Sequence, residues 1–140
     1  MSDELTAMSN RREEAHADLI ARESAVYRAF LEMEQAAFVD GALAKKAKEL
    51  IAVGISLVIN CESCMQWHIE QAALAGAAER EVLEAIEVGI EMGGGPATAH
   101  VRFALRVGSG VGRRTCRACR DAARDGAPDP GKGSRIRWST

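Results

Sequence analysis

Aromatic residues are scarce in this 140-residue chain: three Phe, two Trp and one Tyr make up 4% of it. Proline is scarcer still, and Pro96 is the only one within the first 107 residues. Long apolar runs are also missing. The longest, Leu50 to Ile59, contains Gly54 and Ser56 and is too short to cross a bilayer, so no membrane partner is expected. The acidic opening Met1-Ser2-Asp3-Glu4 has no apolar segment behind it. No secretory leader is expected from it, and a cytoplasmic location is. With 47% hydrophobic and 27% charged residues, the composition argues against membrane, collagen-like and wholly disordered chains. The length fits a single domain.

A net charge of −2 conceals an uneven split. Residues 1–107 carry 10 Lys/Arg against 17 Asp/Glu, whereas residues 108–140 carry 8 Lys/Arg against 3 Asp. The first part reads as an acidic helical domain. The second is basic and Gly-rich, with Val111, Ile136 and Trp138 as its large apolar residues, so it is expected to lack fixed structure. The four cysteines divide the same way, into Cys61/Cys64 and Cys116/Cys119, both C-x-x-C. In the reducing compartment expected here, such pairs are redox-active or metal-binding more often than structural.

Up to residue 107 the periodicity is helical, and the fold class is all-α. A polar first helix over about Glu4–Ile20 either packs through Leu5, Met8, Ala15, Leu19 and Ile20 or frays. Ser24 to Phe38 shows an apolar face of Val26, Tyr27, Phe30, Leu31 and Met33. A third helix, about Leu43–Val58, is apolar nearly all round in its second half and is therefore expected to be buried. A fourth runs from about Glu62 to Ala75, ended by Gly76 as a C-terminal cap. Ala78–Glu81 opens a fifth, its stripe being Val82, Leu83, Ile86 and Ile90, which Gly93-Gly94-Gly95-Pro96 should stop. A last helix, Ala97 to about Val107, presents Val101, Ala104 and Leu105. Gly93–Gly95 is not a phosphate loop, for it lacks a Gly-Lys-Ser/Thr and a preceding strand.

The chemistry concentrates in Glu49-x11-Cys61-Glu62-Ser63-Cys64-Met65-Gln66-Trp67-His68. On a helix, Cys61, Cys64 and His68 fall on one face. A thiol at the helix start benefits from free N–H groups and the positive end of the dipole. His68, one turn beyond Cys64, is placed to take a thiol proton. Glu49 is an acid at the edge of an apolar helix and needs a partner if buried; a hydrogen bond to His68 would supply one. Two other readings share these residues. The cysteines serve as small buried hydrophobes, or Cys61, Cys64, His68 and Glu49 form a four-ligand zinc site, although a loop knuckle and a second ligand pair are lacking. His100 reads as structural, His16 as solvated, and Trp67 as packing away from the Cys64/His68 face. Cys116 and Cys119, among Arg113, Arg114, Arg117 and Arg120, read as an incidental pair. A second redox pair is the alternative. Nucleic acid is not an expected partner, because the domain is acidic and the arginines lack interleaved aromatics.

Glu-x11-Cys-x-x-Cys-x3-His, after an apolar helix and before the Gly93–Pro96 break, resembles the alkylhydroperoxidase D-like branch of the carboxymuconolactone decarboxylase superfamily. The segment Met92–Leu105 resembles that family as well. The likeness covers about residues 43–105. It implies an all-α subunit that assembles as a homo-trimer or homo-hexamer, and assembly also suits a small helical unit. It implies a thiol peroxidase or disulfide oxidoreductase without metal or organic cofactor, acting on a hydroperoxide with a thiol or dithiol reductant. Cys64 would be the peroxidatic thiol, His68 and Glu49 its proton relay, and Cys61 the resolving, more exposed thiol. Ser63 departs from the tyrosine that well-known members carry directly before the second cysteine. The family's decarboxylase branch lacks the C-x-x-C pair, so lactone decarboxylation ranks as an alternative, beside a non-catalytic, zinc-stabilised or purely structural assembly module.

Overall fold

The computed structural model describes the backbone of residues 2–125 and the side chains of residues 4–110. Five α-helices occur among the described residues: α1 (Ser2–Ala21), α2 (Ala25–Phe38), α3 (Lys45–Val58), α4 (Glu62–Leu74) and α5 (Glu79–Asp125). None of the described helices is long and apolar enough to cross a membrane.

Helix ends follow from local chemistry. Gly76, at φ 85°, ends α4 in a paired turn: Ala77 N–H donates to Ala72 O and Gly76 N–H to Ala73 O. These two bonds satisfy carbonyls that a helix end leaves open. At the start of α5, Glu81 reaches back to the Ala78 N–H at 2.8 Å, the acidic half of a capping box. Its other oxygen accepts from Lys46 Nζ at 2.8 Å, which ties α3 to α5. Together these bonds hold the Glu81 carboxyl below its ordinary value, the Lys46 bond contributing most.

The Gly-rich break interrupts the helical backbone as expected, so that α5 consists of two helical arms meeting at a kink. Gly94 sits at φ 64° and ψ −152° within α5, a region that glycine occupies and side chains avoid. Pro96 follows where its missing N–H costs little, at the start of the second arm. That arm continues past Val107 to Asp125, further than the composition suggested. Alanine and charged residues there suit a helix, and glycine disfavours one without forbidding it. The side chains of Cys116 and Cys119, and residues 126–140, lie outside the described residues.

The core forms where α3, α4 and α5 meet. Val53, Leu57, Met65, Ile69, Val82, Ile86, Phe103, Ala104 and Val107 are buried together, with Leu5 and Met8 of α1 packed against them. At Gly89 an added Cβ would lie 3.0 Å from Gly54 O and 2.9 Å from Leu57 Cδ2, so α3 and α5 approach to backbone contact. The apolar faces were only partly assigned by periodicity. Helix α3 buries Val53, Ser56 and Leu57 on one side, while Ile51, Ile55, Val58 and Ile59 are exposed. Helix α2 buries no residue, and its Val26, Phe30 and Met33 face outward. In the last arm Phe103 and Val107 are inward and Leu105 is exposed. Periodicity locates an apolar face but not what covers it.

Candidate active site

The site begins at the junction of α3 and α4. Asn60 adopts φ 54°, a left-handed conformation that asparagine tolerates better than most residues. It closes α3 with two bonds, Asn60 N–H to Leu57 O and Cys61 N–H to Ser56 O. The turn is tight enough that Cys61 serves both helices. It completes the end of α3 and is the N-cap of α4, its Sγ accepting the Cys64 N–H at 3.2 Å. The sequence reading did not single out Asn60. Its signal was an asparagine directly after an apolar helix.

Cys61 and Cys64 are joined by a disulfide, with Cα atoms 5.2 Å apart, and both are half-buried. The positive end of the α4 dipole lies at Cys61, as expected from the helix start. His68 stands one turn beyond Cys64 on the same helix. Glu49 is 2% exposed, and its Oε2 lies 2.8 Å from His68 Nδ1. The contact is direct, with no water needed between them. A carboxylate only accepts, so Nδ1 carries the proton and Nε2 is left free to receive one. The structure thus places Cys64 and His68 on α4 with Cys61 as its N-cap, and Glu49 reaches His68 from α3.

Three further residues shape the site. Phe38, the last residue of α2, stacks on the His68 ring with centroids 5.2 Å apart. Lys45, one turn before Glu49, places Nζ 4.0 Å from Glu49 Oε1. Trp67 donates from Nε1 to Glu34 of α2 at 3.1 Å, and Arg12 of α1 lies over its ring at 4.8 Å. Trp67 therefore packs against α1 and α2. The buried Gln66 donates to Leu5 O and Ser9 Oγ at 2.9 and 2.8 Å, fastening α1 to the helix that carries the cysteines. None of these cross-helix pairings has a sequence signature, because each joins residues far apart in the chain.

The remaining histidines are accounted for. His100 Nδ1 lies 3.0 Å from Leu57 O and supports the end of α3 just before Cys61. His16 Nδ1 is 2.9 Å from the Tyr27 hydroxyl, not simply solvated. The phenol's pKa is raised by burial and then by the charge of Glu34. Among the described residues, no group of three or more His, Cys, Asp or Glu side chains is arranged to hold a metal ion. In this form the two sulfurs are bonded to one another.

The all-α fold is shared with known proteins. Residues 24–107, more than half of the chain, match the model of the carboxymuconolactone decarboxylase family, and the chain belongs to that family. A Paracoccus denitrificans protein named for its place in the cox locus is 43% identical over 79 residues, 56% of this chain and 71% of that one. A carboxymuconolactone decarboxylase family structure from Legionella pneumophila shares the fold at a TM-score of 0.74 and 28% identity, covering 79% of this chain and 98% of its own. A Thermotoga maritima family structure, for which a part in the antioxidative response has been suggested, matches at a TM-score of 0.66 and 24% identity. That match covers 87% of this chain and 97% of its own and bears on the fold alone.

Proposed function

We propose that this chain is a thiol-dependent oxidoreductase of the alkylhydroperoxidase D-like kind, which reduces hydroperoxides or exchanges disulfides through Cys61 and Cys64. The observation that carries the reading is the direct Glu49–His68 contact on the helix whose first turn holds the linked cysteine pair. A buried carboxylate bound to Nδ1 of an imidazole fixes the ring's orientation and tautomer and leaves the other nitrogen as the acceptor. One turn away stands a thiol that must lose a proton to react.

The cycle balances with these groups. His68 Nε2 takes the Cys64 proton, and Glu49 stabilises the imidazolium. The Cys64 thiolate attacks the peroxide oxygen, the O–O bond breaks, and the leaving alkoxide takes the proton from His68 to depart as an alcohol. Cys64 is then a sulfenic acid. The Cys61 thiol attacks it, water leaves, and the disulfide forms. An external dithiol returns both sulfurs to thiols by exchange and is itself oxidised. Ser63 leaves the aromatic position of well-known relatives empty, so reductant preference is expected to differ from theirs.

Assembly belongs to the same reading. Val26, Phe30 and Met33 of α2, Ile51 and Ile55 of α3 and Ile59 at its C-cap are exposed, apolar side chains that association would remove from water. Other copies of the chain would cover them in a homo-trimer or homo-hexamer, measurable by light scattering.

The deciding experiment counts thiols on the reduced protein before and after one equivalent of hydroperoxide. Loss of two thiols per chain, abolished in Cys64→Ser, supports the proposal. Unchanged thiols with one tightly bound zinc per chain would overturn it in favour of a structural module. Lactone turnover that survives loss of both cysteines would overturn it in favour of decarboxylase chemistry.

A further inference from the structure

Lys45 has no place in the relay as described, yet its charge meets the relay's buried end. Glu49 offers two oxygens. Oε2 is engaged by His68 Nδ1 at 2.8 Å. Oε1 faces Lys45 Nζ at 4.0 Å, from a side chain 44% exposed. The surrounding charges are otherwise committed. Lys46 is paired with Glu81 of α5, Lys48 donates to Val39 O, and Asp40 accepts the Lys45 backbone N–H at 2.7 Å. From α2 the neighbour is the uncharged Phe38, stacked on His68. Lys45 is therefore the cation the described structure places against Glu49 besides His68 itself.

We infer that Lys45 is a positioning residue that keeps Glu49 ionised while His68 gains and loses its proton. The inference rests on the thiol chemistry proposed above. Charge conservation gives the reason. With His68 neutral, a buried Glu49 carboxylate without Lys45 is an uncompensated charge, and such a group takes up a proton in preference to remaining bare. With Lys45 present, the Lys45–Glu49–His68–Cys64 set is neutral when Cys64 is a thiol. It stays neutral when the proton has moved to His68, and again when the disulfide has formed. The relay can cycle without importing or expelling charge from a buried position.

The sign of the effect does not depend on which group sets the acid limb. Removing a cation strengthens proton binding at every site nearby, whether carboxylate, imidazole or thiolate. In Lys45→Met the acid limb of activity against pH moves upward by about half a unit to one unit, the partial exposure of Lys45 limiting the size. A rate measured on that limb falls about threefold to tenfold, and the loss shrinks towards the alkaline plateau. Lys45→Arg restores the wild-type position.

The test uses the full-length reduced protein with two readouts. One is peroxide reduction against pH. The other is the pH dependence of Cys64 alkylation, followed by peptide mass spectrometry, which needs no turnover. An upward shift of both in Lys45→Met, reversed in Lys45→Arg, is the expected result. Superposable alkylation profiles, or a loss of rate equal at every pH, would overturn the inference. A wild-type protein that alkylates with a clear pH midpoint but never consumes peroxide or disulfide would instead overturn the proposed function and leave the alkylation comparison standing.

Discussion

Replacing Glu49 by glutamine tests the centre of the site with little change of shape. The amide occupies the same volume and still accepts a bond from His68 Nδ1, but it brings no charge. The two partners are 2.8 Å apart, with side-chain exposures of 3% for Glu49 and 16% for His68, so solvent screens them weakly. When His68 becomes an imidazolium, an opposite charge at a centre-to-centre distance of about 4 Å attracts it by about 4 kcal/mol at an effective dielectric of about 20. A neutral hydrogen bond in its place retains about 1 kcal/mol. The difference, about 3 kcal/mol, corresponds to a slowing of about a hundredfold in the step that ionises Cys64. The assay mixes reduced protein with excess hydroperoxide, quenches with an alkylating reagent and follows Cys64 by mass spectrometry over a single turnover. Thermal melting of the variant confirms that the helices remain. Adding Glu49→Gln to His68→Ala should cost almost nothing beyond His68→Ala alone, because both act through one proton transfer. A Glu49→Gln rate within threefold of wild type, or full additivity with His68→Ala, would refute the relay.

Two further expectations concern the scaffold. Gly89→Ala drives a Cβ to 3.0 Å from Gly54 O, a backbone atom with little room to yield. Overpacking of about 1–3 kcal/mol outweighs the better helix propensity of alanine, about 1 kcal/mol, so the melting temperature should fall by several degrees. Gly95→Ala, with nothing within 4 Å, should not lower it, and equal melting temperatures for the two variants would contradict the close helix crossing. Glu81 bears on acid stability. Its carboxyl is held below the ordinary 4.5 by Lys46 and the Ala78 N–H. Its contribution is therefore complete above that value and is lost as pH falls through the lower folded-state value. Urea midpoints of Glu81→Gln should decline less than those of wild type below pH 4.5, and parallel curves would show that the Lys46 bond adds nothing.

The helical class was legible because spacings of three and four residues repeat through the first 107 positions and proline is nearly absent. The Cys61, Cys64 and His68 set was legible for a related reason. All three lie within eight residues, so helix geometry alone places them on one face. Gly76 was readable as a cap, since its φ of 85° suits glycine wherever the chain runs. The Gly93–Pro96 break was readable too, since the non-helical backbone at Gly94 that separates the two arms of α5 suits glycine. Packing of Ala97, Phe103 and Val107 against the core holds the second arm in place.

Other features needed the third dimension. That Glu49 meets His68 and that Phe38 lies on the imidazole both depend on how α2, α3 and α4 dock, whereas Lys45 meets Glu49 within one turn of α3. No local rule fixes a docking angle, because it emerges from the summed burial of many side chains. The same holds for what is covered. Periodicity marked apolar faces on α2 and α3, and the structure leaves Val26, Phe30 and Met33 of the former and Ile51, Ile55 and Val58 of the latter outward. Sequence by itself determined the helices, their caps and a cysteine pair with a histidine one turn away, since each is set by interactions within a few residues. Tertiary structure decided that this histidine has a buried carboxylate behind it, because only packing brings residues 49 and 68 together and buries Glu49.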